Sequence, residues 1–268
     1  MSPAVAILIF DSGLGGLTVF REAVKARPDA RFIYAADDAF FPYGRHDESV
    51  LVARVTEVMD ALIAAHRPDL VVIACNTAST LVLPHLRERF SLPFVGTVPA
   101  IKPACSSSQS KLVSVLGTEA TVRREYTHRL IRDFAQGCDV TLVGSPRLAE
   151  LAEAELNGES PADADIAAEI APCFVEAGGR RTDAVVLACT HYPLLLRHME
   201  RLAPWPVRFI DPAPAIARRM ADLAGSLQPR GDWEPPRAVF TSGRTPSPAL
   251  ARALVQFDFA EAPTPVGV

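Results

Sequence analysis

Two cysteines stand in matching surroundings, Val71-Val72-Ile73-Ala74-Cys75-Asn76-Thr77 and Val185-Val186-Leu187-Ala188-Cys189-Thr190-His191. Each closes a β-branched apolar run and is followed by small polar residues, the pattern of a buried strand that delivers a thiol at its C-terminal end. The two are about one domain length apart in the chain. Carried on two similar halves that face each other across a cleft, such thiols can serve opposite faces of one carbon, one removing a proton while the other supplies one. A helix N-terminus favours the thiolate and lowers a cysteine from about 8.5 toward neutrality. A buried cysteine is also an ordinary small hydrophobe, so the argument rests on the repetition. His191, two positions past Cys189, can assist that thiol or a bound carboxylate. Cys105, Cys138 and Cys173 lack this setting and read as packing.

Other turns hold polar groups at comparable places. Phe10-Asp11-Ser12-Gly13-Leu14-Gly15-Gly16-Leu17 follows a strand-like run, and its glycines suit either a tight structural turn or an anion-binding helix start. Asp11 favours the second, because ligands of open α/β sheets bind beyond the carboxyl ends of the strands. Pro42-Tyr43-Gly44 forms a rigid turn with one hydroxyl, and reads as an exposed hairpin unless its place at the same sheet edge makes it functional. Gly117-Thr118-Glu119-Ala120-Thr121 is either a simple helix cap or a carboxylate holder. Glu153 lies in an acidic helical stretch and by charge pattern is solvated surface.

The elements that must position these groups alternate strand and helix, which predicts an α/β fold with mainly parallel sheets. Strands are expected near 5–10, 31–34, 70–74, 112–116, 140–143, 184–188, 207–210 and 238–240. Helices are expected near 17–26, 49–65, 78–89, 121–134, 147–156, 165–177, 194–201, 215–224 and 248–255. Pro93, Pro99 and Pro103 mark 93–103 as a link, and Ala203-Pro204-Trp205-Pro206 marks a second break. The expected domains are therefore 1–97 plus 208–268, carrying Cys75, and 98–207, carrying Cys189. The proline-rich tail reads as loop, helix and frayed end.

With 268 residues, 49% of them hydrophobic, the chain can bury a large core. A net charge of −4 with scattered basic residues argues against nucleic acid as the primary partner. The absence of a basic N-terminal segment and of an apolar run near the ~18 residues of a membrane span points to a cytoplasmic protein. Five dispersed cysteines without a C-x-x-C pair indicate neither a disulfide framework nor a metal site. Nor is a pyridoxal lysine motif evident, so no cofactor is expected.

In combination, Phe10–Thr18, Pro42-Tyr43-Gly44, Ala74–Ser79, Val98-Pro99-Ala100, Gly117-Thr118 with Thr121, and Cys189-Thr190-His191-Tyr192-Pro193 resemble the glutamate racemases of the aspartate/glutamate racemase family. The resemblance runs from about Ile7 to Asp211. It implies two pseudo-symmetric α/β domains with the active site between them, glutamate as the small-molecule substrate, no cofactor, and a supply of D-glutamate for peptidoglycan. By the same resemblance Cys75 and Cys189 are the catalytic bases, with Asp11 assisting the first and His191 the second. Ser12, Pro42, Tyr43, Gly44, Asn76, Thr77, Thr118, Thr121 and Thr190 match positions around the substrate. Glu153 matches an acidic residue near the active site. A homodimer is one of the assemblies the family shows. The alternatives are a related racemase acting on aspartate or another small acidic substrate, and a non-catalytic binding protein on the same scaffold.

Overall fold

The computed structural model describes residues 3–135, 137–259 and 263–265. Ten strands build two parallel sheets: β1 (Ala6–Asp11), β2 (Arg31–Ala36), β3 (Leu70–Ile73), β4 (Phe94–Gly96), β5 (Leu112–Thr118), β6 (Asp139–Ser145), β7 (Ala184–Ala188), β8 (Arg208–Ile210), β9 (Arg237–Phe240) and β10 (Thr264–Pro265). The larger sheet has the order β10-β9-β2-β1-β3-β4 and the smaller one β8-β7-β5-β6. The run β2-β1-β3-β4 in the first has its counterpart β6-β5-β7-β8 in the second, which makes the halves pseudo-symmetric.

Helices cover the faces of each sheet, so the central strands β1, β3 and β7 are buried on both sides and read as nearly continuous apolar runs. In β1, Ile7 and Ile9 pack on one side with Phe20, Phe32 and Met220. Leu8 and Phe10 pack on the other with Val55, Val71 and Ile73. The alternation is the period of two of an extended strand. In the smaller sheet Val185 and Leu187 face Leu148 and Met199, while Val186 faces Ile101 and Val115.

Within each sheet the chain crosses from β2 over β1 to β3, or from β6 over β5 to β7. Such a reversal opens a crevice at the carboxyl ends of the two central strands. Asp11 ends β1 and Cys75 follows β3; Thr118 ends β5 and Cys189 follows β7. Topology thus places the four positions at two equivalent switch points.

Several expectations are corrected. The 93–103 segment is not a plain link: Phe94 and Val95 are buried and pair as β4 with β3, and a helix follows at Ile101–Ser107. Pro103 sits in that helix's first turn, where its missing N–H has no partner to lose. Arg208–Ile210, expected on the first domain's side of a boundary at 208, pairs with β7 in the smaller sheet. The helix expected over 121–134 is two, Glu119–Arg123 and Glu125–Phe134, because Arg124 between them is extended. That over 165–177 spans Asp163–Ile170 and gives way to a short turn and a hairpin. The frayed tail expected at 245–268 falls partly outside the described residues; Thr264–Pro265 pairs with β9.

Ile9 is fully buried in β1, so Ile9→Ala should cost about 2–5 kcal/mol of unfolding free energy. Urea denaturation checks this through a lower midpoint with an unchanged slope.

Candidate active site

Asp11 is completely buried at the end of β1. Its carboxylate accepts from the backbone N–H of Ser12 (2.8 Å) and Gly16 (2.5 Å), and from the Thr190 hydroxyl of the other half (3.3 Å). The glycines let the loop curl onto it: a Cβ on Gly16 would lie 2.7 Å from the Asp11 Cβ. Burial raises the Asp11 carboxyl above the usual value, opposed by His191 and the two N–H donors.

Cys75 is the N-cap of the helix Asn76–Arg89. Its Sγ–H points to the Ser12 hydroxyl at 3.6 Å. Burial, then the negative charge of Asp11, push the thiol well above the ordinary cysteine value, against the Ala78 N–H and the Ser12 contact. Desolvation therefore outweighs the helix terminus, and the expected acidification is corrected for Cys75 in this state. The amide of the next residue, Asn76, is buried with both Nδ2 and Oδ1 unpaired. An unsatisfied buried polar group costs about 1–3 kcal/mol, which marks the amide as a group awaiting a partner.

Across the cleft, Cys189 Sγ lies 3.8 Å from His191 Nδ1. The other ring nitrogen, Nε2, is 2.7 Å from Glu153 Oε1 and 3.1 Å from the Gly15 nitrogen. One nitrogen cannot donate to the carboxylate and accept from Gly15 together. Burial disfavours the imidazolium, yet its hydrogen bonds to Cys189 and Glu153, with the latter's charge, outweigh burial and raise His191 well above 6.5. Nε2 thus donates to Glu153, with the Gly15 N–H as a close neighbour. Glu153 also accepts from the Leu14 N–H at 2.6 Å. Its side chain is only 18% exposed, which corrects the reading as solvated surface: a helix of the second half pins the glycine loop of the first.

Three hydroxyls complete the boundary between the halves. Thr77 contacts Thr118 at 3.1 Å and Thr121 at 3.3 Å, and Thr118 contacts Thr121 at 2.9 Å. Thr118 also accepts from the Thr121 N–H as helix cap, so capping and cleft-lining coexist. The structure thus brings together Asp11, Ser12, Cys75, Asn76, Thr77, Thr118, Thr121, Glu153, Cys189, Thr190 and His191. The loop Pro42–Gly44 abuts Thr118, with a Gly44 Cβ position 3.7 Å from the Thr118 Cβ. Tyr43 is buried, not at the tip of an exposed hairpin, and its hydroxyl donates to Asp37 at 2.8 Å instead of opening to the cleft. Sequence reasoning gave Asp37 no role. The N–H groups of Leu14 and Gly15 were also missed, since backbone donors leave no mark in residue type. No group of three or more His, Cys, Asp or Glu side chains among the described residues is arranged to hold a metal ion, and no described helix is long and apolar enough to cross a membrane.

Two thiols at equivalent switch points of two parallel sheets define a racemase architecture. The Asp/Glu/Hydantoin racemase pattern matches residues 9–220, and the chain belongs to that family. More narrowly, it is 54% identical over 260 residues to the glutamate racemase of Brucella ovis, covering 96% of this chain and 94% of that protein. It is 55% identical over 257 residues to that of Brucella anthropi, covering 94% and 91%. The crystal structure of Escherichia coli glutamate racemase, in complex with L-glutamate and the activator UDP-MurNAc-Ala, superposes with a TM-score of 0.89 at 39% identity over 96% of each chain.

Glu153→Gln removes the charge that helps to hold the imidazolium, so the His191 pKa should fall, as read by NMR of the histidine ring. A raised histidine contributes stability that is fully present below its unfolded value near 6.5 and is lost as pH rises through the folded value. The wild-type protein should lose stability with rising pH in that window and the variant should lose less; an unchanged His191 titration refutes the assignment.

Proposed function

We propose that this chain is a glutamate racemase that interconverts L- and D-glutamate with Cys75 and Cys189 as paired acid–base groups. The observation that carries the reading is the placement of the two buried thiols, each after the equivalent strand of its sheet, Cys75 against the Ser12 hydroxyl that leans on Asp11 and Cys189 beside His191. It is supported by the identity to glutamate racemases over nearly the whole chain. The thiols belong to different domains, 1–97 with 211–268 and 98–210.

From L-glutamate, the Cys189 thiolate takes the α-proton and the Cys75 thiol gives its proton to the opposite face; the reverse direction exchanges the roles. The proton count is unchanged and inversion follows from geometry. His191, between Cys189 and Glu153, holds or returns the proton on one side, and Asp11 with Ser12 orients the thiol on the other. Negative charge that builds on the α-carboxylate falls to neutral donors, the Thr77, Thr118 and Thr121 hydroxyls and the Asn76 amide, whose Nδ2 has no protein acceptor among the described residues; the N–H groups of Tyr43 and Gly44 hold the bound glutamate in ground state and transition state alike. Fixed donors aimed at developing charge lower the barrier. The enzyme acts in the cytosol and supplies D-glutamate for peptidoglycan.

In D₂O, Cys75→Ser and Cys189→Ser should each reduce racemisation by about 10³-fold or more. Their residual α-deuterium exchange should differ with the starting enantiomer. A variant near the wild-type rate in both directions refutes the two-thiol reading, and faster exchange into L-aspartate than L-glutamate refutes the substrate.

The Cys75 thiol is raised, so less of it is ionised at a given pH. The ascending limb of kcat/KM for D-glutamate, where Cys75 is the base, should lie on the alkaline side of free cysteine. Asp11→Asn removes a charge that raises the thiol and should move that limb to lower pH while reducing the maximal rate.

A further inference from the structure

The loop that presents the Tyr43 and Gly44 N–H groups does not hold itself in place. Asp37 lies one residue beyond β2 and is fully buried. Its Oδ2 accepts from the Tyr43 hydroxyl (2.8 Å) and Arg54 Nε (3.1 Å). Its Oδ1 accepts from Arg54 Nη2 (2.7 Å) and the Thr241 hydroxyl (2.6 Å). Four donors saturate one carboxylate, and the guanidinium grips it bidentately. They come from three separate segments: the substrate loop, the helix Glu48–His66, and the turn after β9 near the chain's C-terminal end. The next carboxylate, Asp38, ties that turn again by accepting from the Ser242 N–H at 2.9 Å.

We propose that Arg54 and Thr241 are positioning residues for the reaction, acting through Asp37 and the Tyr43 hydroxyl on the loop Pro42–Gly44; the proposal rests on the racemase reading above. The chemical logic is that Tyr43 cannot be a proton donor to substrate. Burial and then Asp37 hold its hydroxyl well above 10, so it stays protonated and serves as the peg through which the clamp sets the backbone beside it. Arg54 never reaches the cleft hydroxyls; its ion pair with Asp37 neutralises a carboxylate that would otherwise stand uncompensated in the core. Phe40 bridges the same elements, lying under the Arg54 guanidinium and stacking on His46 just past the loop. The loop contributes donors that meet the substrate in ground state and transition state alike, and losing such contacts raises KM with kcat preserved.

The test uses the full-length protein with Arg54→Met, Arg54→Lys and Thr241→Val, each checked for thermal unfolding. Arg54→Met should raise KM for glutamate by about tenfold or more with kcat within about threefold, Arg54→Lys should recover part of that loss, and Thr241→Val should shift KM in the same direction by less. Amide hydrogen exchange of residues 42–46 should accelerate in Arg54→Met, with the remote helix Ala213–Ala224 unchanged. Thr241→Val keeps both readouts available if Arg54→Met does not fold. The clamp is overturned if KM stays within about twofold of wild type, if kcat falls with KM unchanged, or if exchange at 42–46 does not change. A wild-type protein that racemises no glutamate overturns the functional reading instead, and the exchange measurement still judges the clamp.

Discussion

Everything in this molecule depends on bringing the carboxyl-end crevices of two parallel sheets face to face. A parallel sheet covered by helices leaves few places where polar chemistry is tolerated, and the switch point is the principal one. Here the strand order is repeated, so the same local solution appears twice. The cost is that acid–base groups must be buried: Asp11, Cys75 and His191 are all almost inaccessible. A buried ionisable group persists only where partners repay its desolvation. Each half supplies partners that the other lacks.

That exchange explains why the electrostatics cross the cleft. Asp11 of the first half receives a hydroxyl from Thr190 of the second, while Glu153 of the second receives an N–H from Leu14 of the first. His191 stands between Glu153 and Cys189, and its hydrogen bonds to both raise its pKa against burial. At Cys75 the negative charge of Asp11 reinforces burial instead, and its thiol is raised. The two thiols therefore occupy unlike settings in spite of the repeated strand order. In the two-thiol reading proposed above the asymmetry has a chemical use, because a two-base exchange needs one proton donor and one acceptor at the same moment.

Much of this was legible in the residues. Ala184–Ala188, Leu17–Ala26 and Pro248–Val255 have the bounds expected from their patterns, since uninterrupted apolar runs and capped amphipathic stretches are local signals. The failures are equally specific. Phe94–Gly96 is too short and too close to prolines to announce itself as a strand, and becomes one only because β3 offers an edge. Arg124 breaks a helix by backbone conformation with no breaker residue to warn of it. Glu153 and Tyr43 were both read as more exposed than they are. An acidic helix looks solvated until a buried histidine lies against it, and Pro-Tyr-Gly looks like an exposed turn until a buried carboxylate takes its hydroxyl.

The sequence by itself determined the α/β class, the repeated strand-to-thiol pattern and most residues of the cleft, because these rest on side-chain type and short-range periodicity. Tertiary structure decided which groups share a hydrogen bond across the cleft, that the Cys75 thiol is raised and what holds the loop Pro42–Gly44. Those properties depend on distances between residues remote in the chain, such as Glu153 to His191 and Asp37 to Arg54 and Thr241. They also depend on desolvation, which exists only once the core has closed around the charge.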